Sequence, residues 1–449
     1  PEKVWCAVAK EVGTQGYQVW DIKTGYSSFP EYAKGVDRWV FHNGISFDAP
    51  VINDLIADCI PHEKIVDTFV VSRLVNYSNF NGHGLDEIGI TLGQPKTVFN
   101  DFSEYTPTML QYCKDDVDLG TKIYKKYEKY INDPAWTKSM EVEHKTAQLC
   151  KEMHDNGFKF DMDLAMKLLP QIKERLYELE ANMKAAWPDA LVEVNRVKYR
   201  TKDNGELYAT VTNSMDNYPK TEIDYSDELN PELVCYDWRS FNPGSSKDRV
   251  EKLWEAGWDP TEKSKGHYKF TLKGEVGEKW GKTKLTQETY DEKKEYFKFY
   301  GWTVSDENLA TLPATAPQGA RDLAEWLCLN GRLKALEERI RCCDSDGRIR
   351  ANFWHIGAWT HRKSHSNPNL ANISSPFHGE VVTPVDFVKN KYDADFRRMF
   401  TVDEGHYLVG TDAESIQLRV LAHYLKNDEY IEAIVNGKKE NETDIHNVN

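Results

Sequence analysis

Residues 406–420, HYLVGTDAESIQLRV, constrain this chain more than any other segment. Tyr407, Leu408 and Val409 form a short apolar run suited to a buried strand, and Asp412 falls at its end. Ile416, Val420, Leu421, Tyr424 and Leu425 then recur with helical spacing. The segment therefore reads as strand, turn and helix, with a carboxylate at the strand terminus. A carboxylate so placed can hold a divalent metal over a phosphate. An isolated aspartate before a helix is more often its N-cap, so the surrounding pattern has to decide.

A length of 449 residues predicts about three domains. With 40% hydrophobic and 12% aromatic residues, a large core can form. No stretch approaches the roughly 20 apolar residues of a membrane span, and PEKVWCAVAKE lacks the shape of a signal peptide. The eight cysteines form no CxxC pair and no zinc spacing. Reduced thiols and a cytoplasmic setting are the default expectation. A net charge of −15 argues against general nucleic-acid affinity. Against it stands a local basic stretch over 339–363, with Arg339, Arg341, Arg348, Arg350, Arg362 and Lys363 against only Asp344 and Asp346.

Strands are expected at 4–9 and 38–41, and helices near 48–58, 69–76 and 106–130, an alternation that fits an α/β domain over 1–132. Asn132-Asp133-Pro134 breaks it. A helical connection covers 133–187, with a turn at NGFKFD. Residues 188–240 are poor in aliphatics and read as a variable insertion or extended loop. From Phe241, FNPGSSK opens an amphipathic helix, and helices resume at 318–343. DGRIRANFWHIGAW (346–359) alternates like a strand. The first residues begin at a strand and the last, DIHNVN, stop within a helical pattern, so both ends read as cut.

Two further patterns carry chemistry. VFHNGISFDAP places Asn43 and Asp48 just after a strand, and YCKDD puts Tyr112 and Asp116 four residues apart on one helix face. A tyrosine and an aspartate there, with a second aspartate from another element, can orient and activate a metal-bound water for phosphodiester cleavage. The competing reading is a helix cap at Asp48 and a solvated charged face at Asp116. At 245–249, Ser245, Ser246, Lys247 and Arg249 gather hydroxyls and cations at a helix N-terminus, where a phosphate can bind.

The segment D-x-x-x-I-Q-L-R at Asp412 resembles motif A of the DNA polymerase I family (family A), and the resemblance extends over almost the whole chain, nearest to the short phage replicative polymerases. HNxxxFD and YxxxD resemble the second and third motifs of DEDD-type 3′–5′ exonucleases. The resemblance implies an RNase H-like exonuclease domain at 1–132, a thumb at 241–343 and a partial palm with the start of the fingers at 344–449. In fold-class terms this is α/β plus α+β multidomain. It also implies that Asp48 and Asp116 are metal ligands, that Tyr112 aligns the attacking water, and that Asn43 and Phe47 support the site or the single strand.

At the polymerase site the resemblance makes Asp412 a ligand of two Mg2+ ions (Mn2+ as the alternative), with the Ala413 carbonyl ligating one. Gln417 stands where the family usually has glutamate, against the ribose 2′ position. WTHRKSHSNPNLANISSP (359–376) resembles T-G-R…PNLQNIP, with Arg362 on the arginine that reads the primer-terminal pair and His361 in place of the preceding glycine. The same resemblance implies that Arg397 lies in the strand leading to motif A, that His446 contacts the incoming triphosphate, and that Ser245 and Lys247 grip duplex DNA.

The implied partners are primer–template DNA, dNTPs and a single-stranded 3′ end, with a processivity factor at 188–240. The D-x-E of the first exonuclease motif is absent here, as are the fingers motif and H-D-E. The 449 residues alone are therefore expected not to polymerise and to be a poor nuclease. The alternatives are a stand-alone DEDD-type exonuclease and a non-catalytic primer–template binding protein.

Overall fold

The computed structural model describes residues 2–79, 82–413 and 415–437. They divide into two compact units, 1–400 and 401–449.

The first unit opens with β1 (Cys6–Ala9) and β2 (Gln18–Asp21), then α1 (Phe29–Lys34), β3 (Trp39–Phe41), α2 (Asp48–Leu55), β4 (Ile65–Asp67), α3 (Thr68–Val75) and α4 (Leu85–Thr91). β1 pairs with β2 antiparallel, and β3 with β4 in parallel, setting Phe41 opposite Asp67. The α/β character is as expected. A single RNase H-like sheet is not formed among the described residues, where these strands make two separate two-stranded sheets. Periodicity marks a strand but says nothing of which edge it joins. Trp20, Phe29, Trp39, Ile45, Ala49 and Ile65 form the core beneath.

Two long helices follow. In α5 (Pro107–Ile131), Thr106 caps the N-terminus by accepting from Met109 N–H, and Pro107 sits where its missing donor costs nothing. In α6 (Pro134–Asn156), Asp133 caps and Pro134 repeats the device, so the break at 132–134 is a corner between two helices. Gly157 ends α6 at φ 61° and ψ 179°, a conformation confined essentially to glycine. β5 (Phe158–Phe160) then leads to α7 (Met162–Ala186), capped by Asp161.

Residues 188–240 are not an extended loop. They form β6 (Ala190–Lys198), α8 (Ala209–Asn217), β7 (Lys220–Asp224) and β8 (Glu232–Arg239), an antiparallel sheet of order β6-β8-β7 with its own small core of Val211, Leu233 and Cys235. Backbone pairing of β8 with β6 and β7 makes the strands despite the polar composition, and one bulge lies between Glu193 and Asn195.

α9 (Ser246–Glu255), α10 (Lys265–Lys273), β9 (Lys279–Trp280), β10 (Thr283–Lys284), α11 (Gln287–Tyr300), α12 (Asp306–Leu309) and α13 (Gln318–Arg341) continue the chain. The stripe Ala165, Leu168, Ile172, Leu176, Leu179 and Met183 of α7 shares a core with Ala320, Leu323, Ala324, Leu329 and Leu336 of α13. Each buried Leu, Ile or Met among them contributes about 1.5–3 kcal/mol of burial. Arg175 clamps Glu325 with two bonds, 2.7 and 2.9 Å, across the same pair of helices.

After β11 (Arg348–Ile349), the ribbon β12 (Asn352–Trp354) and β13 (Ser364–Ser366) pairs antiparallel, with Phe353 opposite His365. It packs on the first lobe, where the Tyr77 hydroxyl donates to Gly357 O at 3.0 Å. The unit ends with α14 (Pro384–Val388), α15 (Ala394–Arg398) and β14 (Phe400–Thr401), in a sheet of order β11-β5-β14. Arg397 therefore sits on a helix and not on a strand, because Phe396 and Met399 bury themselves at helical spacing.

In the second unit, α16 (Ile416–Leu425) and α17 (Asp428–Val435) are the described helices. The expected strand at 407–409 is absent. Tyr407 is 90% and Val409 82% exposed, and no strand among the described residues pairs with them. An apolar run becomes a strand only when a neighbour takes up its backbone hydrogen bonds.

Candidate functional site

The parallel register of β3 and β4 builds the better-defined site. Asp67, at the end of β4, is almost wholly buried and caps α3 by accepting from Phe69 N–H at 2.9 Å. The same carboxylate accepts from Asn43 N–H at 2.8 Å and Ile45 N–H at 3.1 Å. These bonds hold Asn43 at φ 66°, a left-handed conformation that asparagine tolerates. The Asp67 N–H donates to His144 Nε2 at 2.8 Å, while His144 Nδ1 lies 2.8 Å from Met140 O. His144 Nε2 must then accept and Nδ1 donate, which fixes one neutral tautomer.

The turn so formed delivers Asp48 as the first residue of α2, with exposed Phe47 as its N-cap residue. Burial, then the charge of Asp67, and also that of Asp116, push the Asp48 carboxyl up to about 6. Tyr112 and Asp116 both lie on α5. Burial also pushes the Asp116 carboxyl up, against the hydrogen bonds of Lys96 and Tyr112. Lys96 Nζ sits 3.0 Å from Asp116 Oδ2, and Asp116 Oδ1 is buried without a protein partner. The Tyr112 ring stacks on Phe99 at 5.3 Å and faces the Lys96 ammonium at 5.1 Å.

Asp48, Asp116 and Tyr112 are therefore brought into one electrostatic neighbourhood. Lys96 belongs to it and was missed in the sequence, where QPKTVF offers no motif. The open oxygen of Asp116 suits a cation. No group of three acidic, histidine or cysteine side chains that could hold a metal occurs among the described residues, so they do not by themselves compose a two-metal centre.

The other residues singled out by sequence lie apart from this cluster. Asp412 and Ala413 are exposed in irregular chain, and Gln417 is exposed on α16. Asp412 therefore stands at no strand end among the described residues of its unit. His446 lies outside the described residues. Ser245 is an N-cap whose hydroxyl accepts from Asp248 N–H at 3.3 Å and donates to Asp248 Oδ1 at 3.0 Å. Lys247 is exposed, 3.9 Å from Glu251. Arg397 is exposed, and so is Arg362, whose backbone oxygen closes the ribbon turn by accepting from Gly357 N–H at 2.8 Å.

Half of the six cations in the basic stretch 339–363 are engaged within the fold. Arg350 bonds Asp344 at 2.8 Å and Asp346 at 2.6 Å, Arg348 bonds Asn156 O at 3.1 Å, and Arg339 is buried beside Phe396 and Phe400. Arg341, Arg362 and Lys363 remain exposed.

Among the described residues, no helix is long and apolar enough to cross a membrane. Residues 280–449 match the profile of DNA polymerase family A. The chain is 25% identical to the DNA-directed DNA polymerase of Enterobacteria phage T3 and 24% to that of Escherichia phage T7, each over 91% of its own length and 64% of the relative's. It is 33% identical to the DNA polymerase I of Caldicellulosiruptor bescii over 23% of its length and 10% of that protein's. Among solved structures it resembles the POL domain of Pol1 from M. smegmatis, in complex with DNA primer-template and dNTP. The TM-score is 0.56 and the identity 14%, over 95% of this chain and 57% of that one. The chain thus has a fold like that of the polymerase domain, and residues 280–449 are similar to DNA polymerase family A. Over most of its length it is similar to the family's phage members, and it spans 64% of the length of the two phage relatives.

Proposed function

We propose that this chain is part of a template-directed DNA polymerase that also trims 3′ ends. The observation that carries this reading is the family A match over 280–449, which contains D412-x-x-x-I-Q-L-R and the Arg362 segment. In this reading Asp412, with Gln417 and Arg362, serves strand extension on primer–template DNA with dNTPs, and Asp48, Asp116 and Tyr112 serve trimming. Clustering of Asp48, Tyr112, Asp116 and Lys96 within 1–132 supports a separate trimming module. A requirement for a divalent cation, Mg2+ or Mn2+, is part of the proposal for the complete protein.

The test is made in the full-length protein. Asp412→Ala is expected to lower primer extension at least about a hundredfold and leave trimming of a single-stranded 3′ end intact, while Asp116→Ala does the reverse. Loss of both activities in each variant would contradict two separate sites.

A further inference from the structure

The small module of α10, β9, β10 and α11 departs from the acidic balance of the chain. Residues 263–284 carry seven lysines against two glutamates, a balance of +5 within a chain of net charge −15. α10, KGHYKFTLK, holds no acidic residue, whereas α11 mixes both signs and pairs Lys298 with Glu295 at 3.5 Å. Lys265, Lys269, Lys273, Lys279, Lys282 and Lys284 are all exposed and make no ion pair among the described residues. In the hairpin, Lys279 stands directly opposite Lys284. Like charges so placed destabilise a strand pair, and a bound polyanion would relieve the repulsion.

Apolar side chains interleave with these cations. Lys265, Tyr268, Lys269 and Leu272 are spaced i, i+3, i+4, i+7, so they share one face of α10. On that face Tyr268 is 54% and Leu272 79% exposed. The inner side of the helix is fixed, because Phe270 is buried against Trp280, Tyr290 and Phe297 at 5.1–5.3 Å. Trp280 brings the hairpin to the helix, where Lys269 Nζ lies 5.7 Å from its ring. Lysines along a rigid face can follow a phosphate backbone, and an aromatic ring between them can stack a base. A duplex keeps its bases stacked inside, so only an unpaired strand uses both.

We infer that this face of α10, with the β9–β10 hairpin, binds single-stranded DNA without sequence preference. It draws on none of the residues assigned above to extension or trimming. The inference rests on the reading that the protein works on DNA and adds to it a surface that holds an unpaired strand.

The experiment is ultraviolet crosslinking of the full-length protein, in EDTA so that no strand is cut, followed by mass mapping of the adducts. One probe is a thymidine oligonucleotide containing 5-bromodeoxyuridine, and the other is a blunt duplex containing the same base. The readout is adduct on the α10–hairpin peptides, so a strand held elsewhere does not count. Adduct on Tyr268 or Trp280 is expected with the single strand and not with the duplex. Lys265→Gln, Lys269→Gln and Lys273→Gln combined are expected to lower the yield at subsaturating strand at least about fivefold. They are also expected to reduce the slope of its salt dependence by about 2, since each phosphate contact on a single strand contributes about 0.7. Lys293→Gln with Lys294→Gln removes charge from α11 instead and is expected to change neither. The altered lysines of α10 are exposed, so the variant is expected to fold, and the adduct map of the unaltered protein decides alone if it does not. No adduct at these positions, equal adduct with the duplex, or an unchanged yield in the folded triple variant overturns the inference. Protection of these lysines from acetylation by a polyglutamate peptide but not by the oligonucleotide also overturns it and assigns an acidic protein partner. Adduct here in a protein that neither extends nor trims would instead sink only the functional reading.

Discussion

Two single residues carry costs that experiments can read. Asp48 has its carboxyl raised to about 6 by burial and by the charges of Asp67 and Asp116, against an ordinary value near 4. The folded chain thus holds a proton between about pH 4 and 6 that the unfolded chain has released. Its stability is unaffected below that window and falls as pH rises through it, by up to about 3 kcal/mol once ionisation is complete. Asp48→Asn removes the penalty. The two proteins are expected to melt together near pH 4, and the variant is expected to melt higher at pH 8. A parallel pH dependence would show that Asp48 is solvated. His361 sits at φ 59° in the ribbon turn, a left-handed conformation. The turn survives because histidine accepts the left-handed region at about 1–2 kcal/mol. His361→Gly is expected to hold or raise the melting temperature, whereas a β-branched His361→Val lowers it. Equal melting of all three would mean the turn is not held in solution.

Among the elements, the turn between α6 and β5 is the most exacting. A Cβ on Gly157 would lie 2.9 Å from Arg350 Cγ and 3.1 Å from Ile349 O, in a backbone region L-residues avoid. Gly157→Ala is expected to cost about 2 kcal/mol or more, read as a lower urea midpoint. An unchanged midpoint would show that β5 and β11 shift freely. That turn was legible as NGFKFD, and the break at 132–134 as Asn-Asp-Pro, because Gly, Asp and Pro act through their own backbone, whereas the caps at Asp133 and Asp161 emerge only in the structure. What depends on distant partners was not. The 407–409 run looks like a strand in isolation but has no pairing partner among the described residues, and the sheet at 188–240 hides in a polar composition. At the Asp48–Asp116 cluster, the spacing of Tyr112 and Asp116 announced a shared helix face. Lys96 reaches Asp116 only through the fold.

For the molecule as a whole, a net charge of −15 means that any grip on DNA has to be local. The sequence offered six cations between 339 and 363, but Arg339, Arg348 and Arg350 serve the fold. With Arg341, Arg362 and Lys363 exposed, this stretch can neutralise about three phosphates, so its share of the salt slope is at most about −3. In the proposed reading Arg362 faces base edges. Arg362→Ala in the full-length protein is then expected to weaken primer–template binding by about 1–3 kcal/mol with little change in slope. Lys363→Ala is expected to reduce the slope by about 0.9 and weaken all sequences alike. Titrations of labelled primer–template from about 50 to 200 mM salt separate these outcomes, because only a phosphate contact releases a condensed counterion. If Arg362→Ala flattens the slope and Lys363→Ala does not, Arg362 holds the backbone and does not read the primer-terminal pair.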